Sequence, residues 1–151
     1  MFSRRCDSLL VSAVLCMTIV GCATTDESYE FTYLKASAAS GDVVAQRTMG
    51  IKYYKGQGVP QNYKEAAKWF RLSAEQGDTM AQTSLGKMYY DGNGVNQDKV
   101  YAYMWWNVAI SLGNKIAAKA RDKFLNSMTQ AQLEEARKLA RACVKKNYKS
   151  C

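Results

Sequence analysis

Small and apolar residues recur at helical spacing through most of the chain beyond residue 29. Within Asp42–Lys55 they fall every three or four positions, which places them on one face of a helix. The same spacing returns in Tyr63–Glu75 and in Lys99–Ser111. Gly-x-Gly stretches at Gly56–Pro60 and Gly92–Asn96 contain residues that tolerate positive φ and therefore end helices. The pattern predicts an all-α fold of helix-turn-helix repeats.

The same series of residues occurs twice at a spacing of 36. Gly41–Val59 returns as Gly77–Val95, and the alanine and tryptophan of the following helix return as well. A fixed period of this length indicates stacked repeats that cannot bury their apolar faces alone. Glu30–Ser40 fits the second half of a truncated repeat, and the pattern fades beyond Gly113. We predict a short solenoid over residues 30–128, with about two full repeats and atypical ends.

The motif Gly-Asp-x-x-Ala-Gln-x-x-x-Gly-x-x-Tyr-Tyr-x-Gly-x-Gly-Val, followed by Ala-x-x-Trp, resembles the Sel-1-like repeat family. That family is a helix-turn-helix solenoid related to tetratricopeptide repeats. The resemblance covers residues 41–112 closely, and it implies protein recognition or scaffolding on a curved surface rather than a reaction. Many extracytoplasmic members carry a cysteine pair in each repeat, whereas Gly41–Gly113 contains no cysteine.

Matched tryptophans and glycines are the candidates for contacts between repeats. Trp69, Trp105 and Trp106 lie at register-matched positions, which favours burial over the alternative of stacking on a sugar or a base. Gly50 and Gly86 lie inside predicted helices, where a glycine costs about 1 kcal/mol relative to alanine. Their repetition predicts that two backbones approach each other closely there.

The geometry implied by the resemblance places the first helix of each repeat on a concave face. Positions on that face that differ between the repeats are not fixed by packing, so they are free to provide specificity. Tyr54 and Tyr90 are expected to form a short aromatic ladder among basic residues, a combination common in interfaces. The alternative is an ordinary hydrated surface without a ligand. The predicted partner-binding residues are Val44, Arg47, Ile51, Tyr54, Lys55, Met80, Thr83, Lys87, Tyr90 and Asp91.

Residues 1–21 have the form of a signal peptide. Arg4 and Arg5 precede the apolar run Leu9–Val20, which is shorter than the ~20 residues that span a bilayer. The run ends in Gly21-Cys22, which resembles the lipobox of bacterial lipoproteins and implies that Cys22 becomes the acylated N-terminus. The alternative is a plain secretory signal with a chance cysteine. Residues 22–29 are polar and indicate a tether, and Ala23, where an aspartate commonly signals inner-membrane retention, favours the outer membrane, facing the periplasm.

Residues 129–151 are predicted to form a C-terminal capping helix and tail. Thr129 and Gln132 have the spacing of a capping box, and the apolar face of the helix is expected to seal the open end of the stack. Cys143 and Cys151 remain if the signal is removed and Cys22 carries lipid. Eight helical residues would hold their Cα atoms about 12 Å apart, so a disulfide requires the chain to turn back after Asn147. The sequence leaves this pairing open, and two thiols alone do not predict a metal site.

Charge and histidine content limit the function classes. The formal net charge is +8, with nine basic and nine acidic residues in 22–112 but ten and three in 113–151. That C-terminal excess fits either an anionic partner or lipid surface, or a solvated helix face. Nucleic acid is not expected, because the signal directs the chain out of the cytoplasm. The chain has no histidine, the commonest general base near neutral pH, so no catalysis, metal or cofactor is predicted.

Three hypotheses follow. The first is a lipid-anchored, non-catalytic adaptor whose concave face binds another envelope protein. The second is an envelope enzyme or accessory factor that acts on peptidoglycan through Asp42, Asp78 or Asp91, although carboxylates at helix starts stabilise exposed N–H groups without any chemistry. The third is glycan binding through Tyr54, Tyr90 and exposed tryptophan. Phosphate binding by the Gly-x-Gly stretches is weakly indicated, because no strand precedes them.

Overall fold

The structure, a computed structural model, describes residues 29–151. The predicted signal peptide, Cys22 and all but the last residue of the predicted tether lie outside the described residues. The chain divides into two compact units, Met1–Leu34 and Lys35–Cys151. Of the first unit, residues 29–34 are described, and they are helical.

The described residues form helices and connecting turns, with no strand among residues 29–151. Residues 29–39 form α1. The remaining helices are α2 (Val43–Lys55), α3 (Tyr63–Ala74), α4 (Thr79–Asp91), α5 (Lys99–Ser111), α6 (Lys115–Phe124), a short 3-10 helix (Leu125–Ser127) and α7 (Gln130–Lys145). Helices α2 and α3 pair as a first hairpin and α4 and α5 as a second, α3 packs on α4, and α6 follows against α5. The predicted all-α solenoid is confirmed.

Both hairpins use the same residues to begin and end their first helix. Asp42 accepts a hydrogen bond from the Ala45 amide at 2.6 Å, and Asp78 accepts one from Ala81 at 2.7 Å. At the other end, Gly56 and Gly92 adopt φ of 70° and 74° and act as left-handed caps. These caps account for the repeated Gly-Asp and Gly-x-Gly motifs by local backbone chemistry.

A repeated glutamine joins each hairpin to the helix that precedes it. Gln46 donates to the carbonyl of Ala38 at 3.1 Å, and Gln82 donates to the carbonyl of Ala74 at the same distance. Both glutamines are buried. Each therefore provides a hydrogen bond to a carbonyl group at the C-terminal end of a helix, where water cannot reach that group. Residues 35–40 therefore contact the first hairpin through the same glutamine-to-carbonyl hydrogen bond by which α3 contacts the second.

Tryptophans fill the core of the second hairpin more completely than that of the first. Trp105 and Trp106 are 0% and 2% exposed, whereas Trp69, at the position of Trp105, is half-buried. Helix α7 packs against α5 and brings Ala140 and Cys143 into the cluster that contains Trp105. It does not pack against α3 in the same way, so Trp69 keeps one side open.

The close approach predicted at the two helical glycines is present, but an aromatic ring is the main neighbour. A methyl group at Gly50 would lie 2.7 Å from Cδ1 of Phe70. A methyl group at Gly86 would lie 2.6 Å from Nε1 of Trp106 and 3.1 Å from the carbonyl oxygen of Ala102. The expectation of backbone meeting backbone is therefore wrong at Gly50. The glycines leave room for the large rings of the second helix in each hairpin.

Helix α7 packs against α5. Its capping box forms, with Thr129 and Gln132 bonded to each other's backbone amides at 2.9 Å and 3.3 Å. The apolar face of the helix is buried, as its amphipathic pattern predicts. It lies along α5, where Leu133 and Ala136 pack with Tyr103, because α5 has a second apolar face outside the hairpin.

The C-terminal tail turns back after α7. Asn147 and Tyr148 adopt φ of 50° and 64°, which reverses the chain at the point that a bridge between the cysteines requires. Cys143 and Cys151 are joined by a disulfide bond, with their Cα atoms 5.3 Å apart. The ring of Tyr148 lies next to Gly77, so the tail reaches the turn between α3 and α4.

Candidate partner-binding face

Four of the ten predicted partner-binding residues line one cavity. Ile51, Tyr54, Lys55 and Lys87 surround a space of about 180 Å³ at the junction of α2, α3 and α4. The lining also includes Phe70 and Ser84, which the sequence analysis did not single out. We call this space the first-junction cavity. Its aromatic wall comes mainly from the half-buried Tyr54, since Phe70 is only 2% exposed, and its two lysines are exposed.

The other six predicted residues lie around this cavity or beyond it. Val44 and Met80 are exposed, at 56% and 44%, near the starts of α2 and α4. Thr83 is half-buried, and its hydroxyl donates to the carbonyl of Thr79 at 2.7 Å. Arg47, Tyr90 and Asp91 each have a partner within the protein.

Two ion pairs organise the charge on this face. Arg47 on α2 pairs with Asp78 at the start of α4 and so links the two repeats. Lys87 pairs with Asp91 one turn further along α4. The hydrogen bond from Lys87 to Asp91, with a smaller contribution from Tyr54, raises the pKa of the lysine above its ordinary value. Lys55 lines the cavity, and its ammonium group makes no ion pair or hydrogen bond among the described residues.

The structure does not form the predicted ladder of Tyr54 and Tyr90. The ring centroid of Tyr54 lies 5.2 Å from Tyr63 and 6.5 Å from Phe70, within its own hairpin. Tyr90 lies 3.9 Å from Phe124 of α6. Each tyrosine therefore packs on its neighbours in the chain, and Tyr90 is covered where Tyr54 is open to the cavity.

The carboxylates of the enzyme hypothesis have structural partners. Asp42 and Asp78 cap helices, and Asp78 also holds Arg47. Asp91 pairs with Lys87. Within residues 29–151, the Asp, Glu and Cys side chains form no group of three or more that could hold a metal ion.

A larger groove lies between α5 and α7. It encloses about 440 Å³ and is lined by Asn107, Ser111, Arg137, Ala140, Arg141, Val144 and Lys145. Arg141 bonds Glu134 at 3.2 Å, so part of the basic charge is balanced on α7 itself. Sequence reasoning could not place this groove, because it depends on how α7 packs. None of the helices in residues 29–151 is both long and apolar enough to cross a membrane.

Comparison with known proteins identifies the repeats. The family model described as Sel1 repeat matches residues 43–78 and 79–114, which confirms the resemblance seen in the sequence. No curated protein matches the chain.

Two solved structures share the fold. The first is a protective antigen present in uropathogenic Escherichia coli strains, displaying an SLR fold; it superposes with a TM-score of 0.74 and 30% identity over 78% of this chain and 26% of that one. The second is a Sel1 repeat protein from Oxalobacter formigenes, with a TM-score of 0.62 and 38% identity over 64% of this chain and 28% of that one. This chain therefore spans about a quarter of the length of these solved proteins.

Proposed function

We propose that this chain, which is built around two Sel1 repeats, is a lipid-anchored protein of the bacterial envelope. It binds another envelope protein through the face formed by α2 and α4. Sel1 repeat proteins are generally protein-interaction scaffolds. The observation that carries the proposal is the first-junction cavity, which presents the half-buried ring of Tyr54 beside two exposed lysines. Aromatic anchors beside cations are typical of protein-binding surfaces.

A non-catalytic role fits the chemistry of this face. The Sel1 fold is typically a non-catalytic interaction scaffold. A catalytic carboxylate needs an environment that leaves it available to a substrate, and Asp42 and Asp78 instead hold helix N-termini. The adaptor hypothesis requires no such group, because binding uses the surface alone.

The lipid anchor is supported by the sequence of the first 22 residues. Two arginines, an apolar run of signal-peptide length and the Gly21-Cys22 junction follow one another in the order that lipoproteins use. Each buried methylene contributes about 0.8 kcal/mol, so a multiply acylated Cys22 holds the chain at a membrane without a spanning helix. We place the protein at the outer membrane, facing the periplasm.

Photo-crosslinking in the native envelope tests the interaction. A photoreactive phenylalanine replaces Lys55 at the rim of the cavity, and in a matched variant it replaces Lys68, whose side chain is 69% exposed on α3. We expect the probe at 55 to recover a specific protein and the probe at 68 to recover none. Lipid or glycan alone from position 55, or the same protein at equal yield from both positions, contradicts the proposal.

The anchor is tested in the same cells by metabolic labelling with an alkyne analogue of palmitate. The wild-type chain is expected to take up the label, and Cys22→Ser is expected to lose it, because the thioether to the lipid forms on this sulfur. An unlabelled wild type, or a Cys22→Ser chain that keeps its label, rejects the anchor and leaves the crosslinking result to stand on its own.

A further inference from the structure

We propose that the groove between α5 and α7 binds an acidic, amphipathic helix of a partner protein. This groove shares no helix and no lining residue with the first-junction cavity. It is therefore a second binding surface, and a partner can occupy it whether or not the face of α2 and α4 binds an envelope protein. Its size, its charge and the row in which that charge is arranged all favour this class of partner.

The groove has room for several side chains of a partner. It encloses about 440 Å³, and pockets for small ligands enclose about 300–1,000 Å³. Ala140 is buried and lies at its floor, whereas Val144 is 38% exposed. An apolar side chain that covers Val144 removes this surface from water, so the groove favours a partner with apolar residues.

The polar residues of the groove are already held in place within the protein. The Asn107 side chain donates to the carbonyl of Tyr103 at 2.9 Å, and the Ser111 hydroxyl donates to the carbonyl of Val108 at 2.7 Å. The disulfide bond at Cys143 ties the C-terminal tail to the last turn of α7. A partner therefore meets an ordered surface, which lowers the entropy cost of binding.

The charge of the groove is positive. Its lining contains no acidic residue and three basic ones, which we call the α7 row: Arg137, Arg141 and Lys145. Glu134, outside the lining, contacts Arg141 at 3.2 Å and Arg137 at 3.6 Å. A carboxylate can therefore reach both guanidinium groups, and each keeps further N–H donors for a second carboxylate. Lys145 makes no ion pair or hydrogen bond through its ammonium group within residues 29–151, so the row keeps a net positive charge.

The spacing of the α7 row favours a helix as the ligand. Its cations recur every four residues, so they lie about 6 Å apart along α7. A helix with acidic residues at the same spacing can pair with each cation, and apolar residues one position further along lie about 100° around that helix, towards the floor of the groove. An extended peptide points successive side chains to opposite sides, and a lipid headgroup carries its charge at one point. Neither of them matches the row and the apolar surface together.

A second row of cations provides a comparison within the same protein. Helix α6 carries Lys115, Lys119 and Lys123 at the spacing of the α7 row, and we call them the α6 row. These lysines are exposed, but they line neither the groove nor the first-junction cavity. The α7 row differs from the α6 row because an apolar concave surface lies beside it. The two rows therefore separate binding in the groove from general attraction to positive charge.

Fluorescence anisotropy with labelled peptides tests the proposal on the full chain, purified in an uncharged detergent. The acidic probe repeats Ala-Glu-Leu-Ala three times, which places its leucines about 100° from its glutamates on a helix. We expect it to bind about tenfold more tightly than the same peptide with glutamine for glutamate, since each exposed ion pair contributes a factor of about two. A peptide that repeats Ala-Glu-Ala-Leu has its leucines about 200° from its glutamates, and it is also expected to bind more weakly. Equal binding of the three peptides contradicts the proposal.

Two triple variants that remove the same charge locate the binding. One neutralises the α7 row through Arg137→Gln, Arg141→Gln and Lys145→Gln, and the other neutralises the α6 row through Lys115→Gln, Lys119→Gln and Lys123→Gln. All six side chains are exposed, so both variants are expected to fold, which circular dichroism checks. We expect the first to bind the acidic peptide about tenfold more weakly and the second to stay within about twofold of wild type at about 0.15 M salt, where distant charges are screened. Equal losses in both variants, or no loss in the first, contradict the proposal.

Two serine variants test the groove without changing its charge. Ser111→Trp places an indole in the groove, and Ser127→Trp places one at the end of the 3-10 helix. The two serines are matched, because both are exposed and each hydroxyl donates to the carbonyl three residues earlier. We expect Ser111→Trp to weaken binding of the acidic peptide about fivefold or more, because the indole fills space that the leucines need, and Ser127→Trp to leave it unchanged. Equal binding by the two variants shows that the peptide does not occupy the groove.

Short-chain phosphatidylglycerol, added as a competitor, tests whether the groove instead takes an anionic lipid. We expect it to displace the bound acidic peptide no better than short-chain phosphatidylcholine does, because one phosphate cannot pair with the whole α7 row. Displacement by phosphatidylglycerol at a lower concentration than the unlabelled acidic peptide requires would make an anionic lipid the preferred ligand and overturn the proposal.

Discussion

Trp105→Ala is expected to lower the free energy of unfolding by about 3–5 kcal/mol, because it removes a fully buried indole from a close-packed core. Trp105 is 0% exposed and lies in the cluster that combines α3, α4, α5 and the α7 residues Ala140 and Cys143. Its indole N–H has no acceptor among the described residues, so the substitution breaks no hydrogen bond and its cost is that of packing. Chemical denaturation followed by circular dichroism measures the change.

Trp69→Ala is the matched control for this substitution. Trp69 occupies the same position in the first repeat but is half-buried, since α7 does not cover it. We expect it to cost about 1–2 kcal/mol, in proportion to the smaller area that it buries. Equal losses at the two positions would show that α7 does not complete the core around Trp105.

Gly86→Ala is expected to destabilise the protein by about 2–3 kcal/mol, even though alanine is the better helix former by about 1 kcal/mol. The added methyl group would lie 2.6 Å from Nε1 of Trp106. That ring is fixed, because its Nε1 donates to the carbonyl of Thr83 at 3.2 Å and Phe124 stacks on it. Thermal unfolding and denaturant titration measure the loss.

Gly50→Ala introduces the same group at the same position of the first repeat, and we expect its effect to lie within about 1 kcal/mol of zero. Here the methyl group meets the ring of Phe70, whereas at Gly86 it also meets the backbone carbonyl oxygen of Ala102 at 3.1 Å, which cannot yield as a ring can. The difference between the two alanine variants therefore reports how far the ring of Phe70 can yield. A loss at Gly50 as large as that at Gly86 would show that Phe70 is held as firmly as Trp106.

The helices and their limits could be predicted from the sequence because they depend on residues a few positions apart. Asp42 and Asp78 bond amides three residues ahead, and Gly56 and Gly92 end their helices through their own φ angles. The 36-residue period then gave the stacking order, since equal hairpins with equal apolar faces pack in the same way.

Tertiary placement was harder to predict from the sequence. The apolar face of α7 was visible, but a sequence does not show whether such a face covers α6 or α5. The second apolar surface of α5, formed in part by Tyr103, decided the outcome. The bend that returns Phe124 to Tyr90 likewise depends on where α6 ends.

The residues of the candidate site were predicted only in part, because some of them come together only when the helices pack. Comparing the repeats selected Ile51, Lys55 and Lys87, which differ between the copies, and Tyr54, which does not, and all four line the cavity. It missed Ser84 and Phe70, which contribute to the cavity through the packing of α3 on α4. It also treated Arg47 as free, whereas Asp78 lies 31 residues later in the chain and pairs with it only once the repeats stack.

The most direct test of the account is the comparison of photo-crosslinking from positions 55 and 68 in the native envelope. Lys55 lines the first-junction cavity, whereas Lys68 lies on α3 with a side chain that is 69% exposed. The account predicts that a probe at position 55 recovers one specific protein and that a probe at position 68 recovers none. Lipid or glycan alone from position 55, or the same protein at equal yield from both positions, contradicts the account.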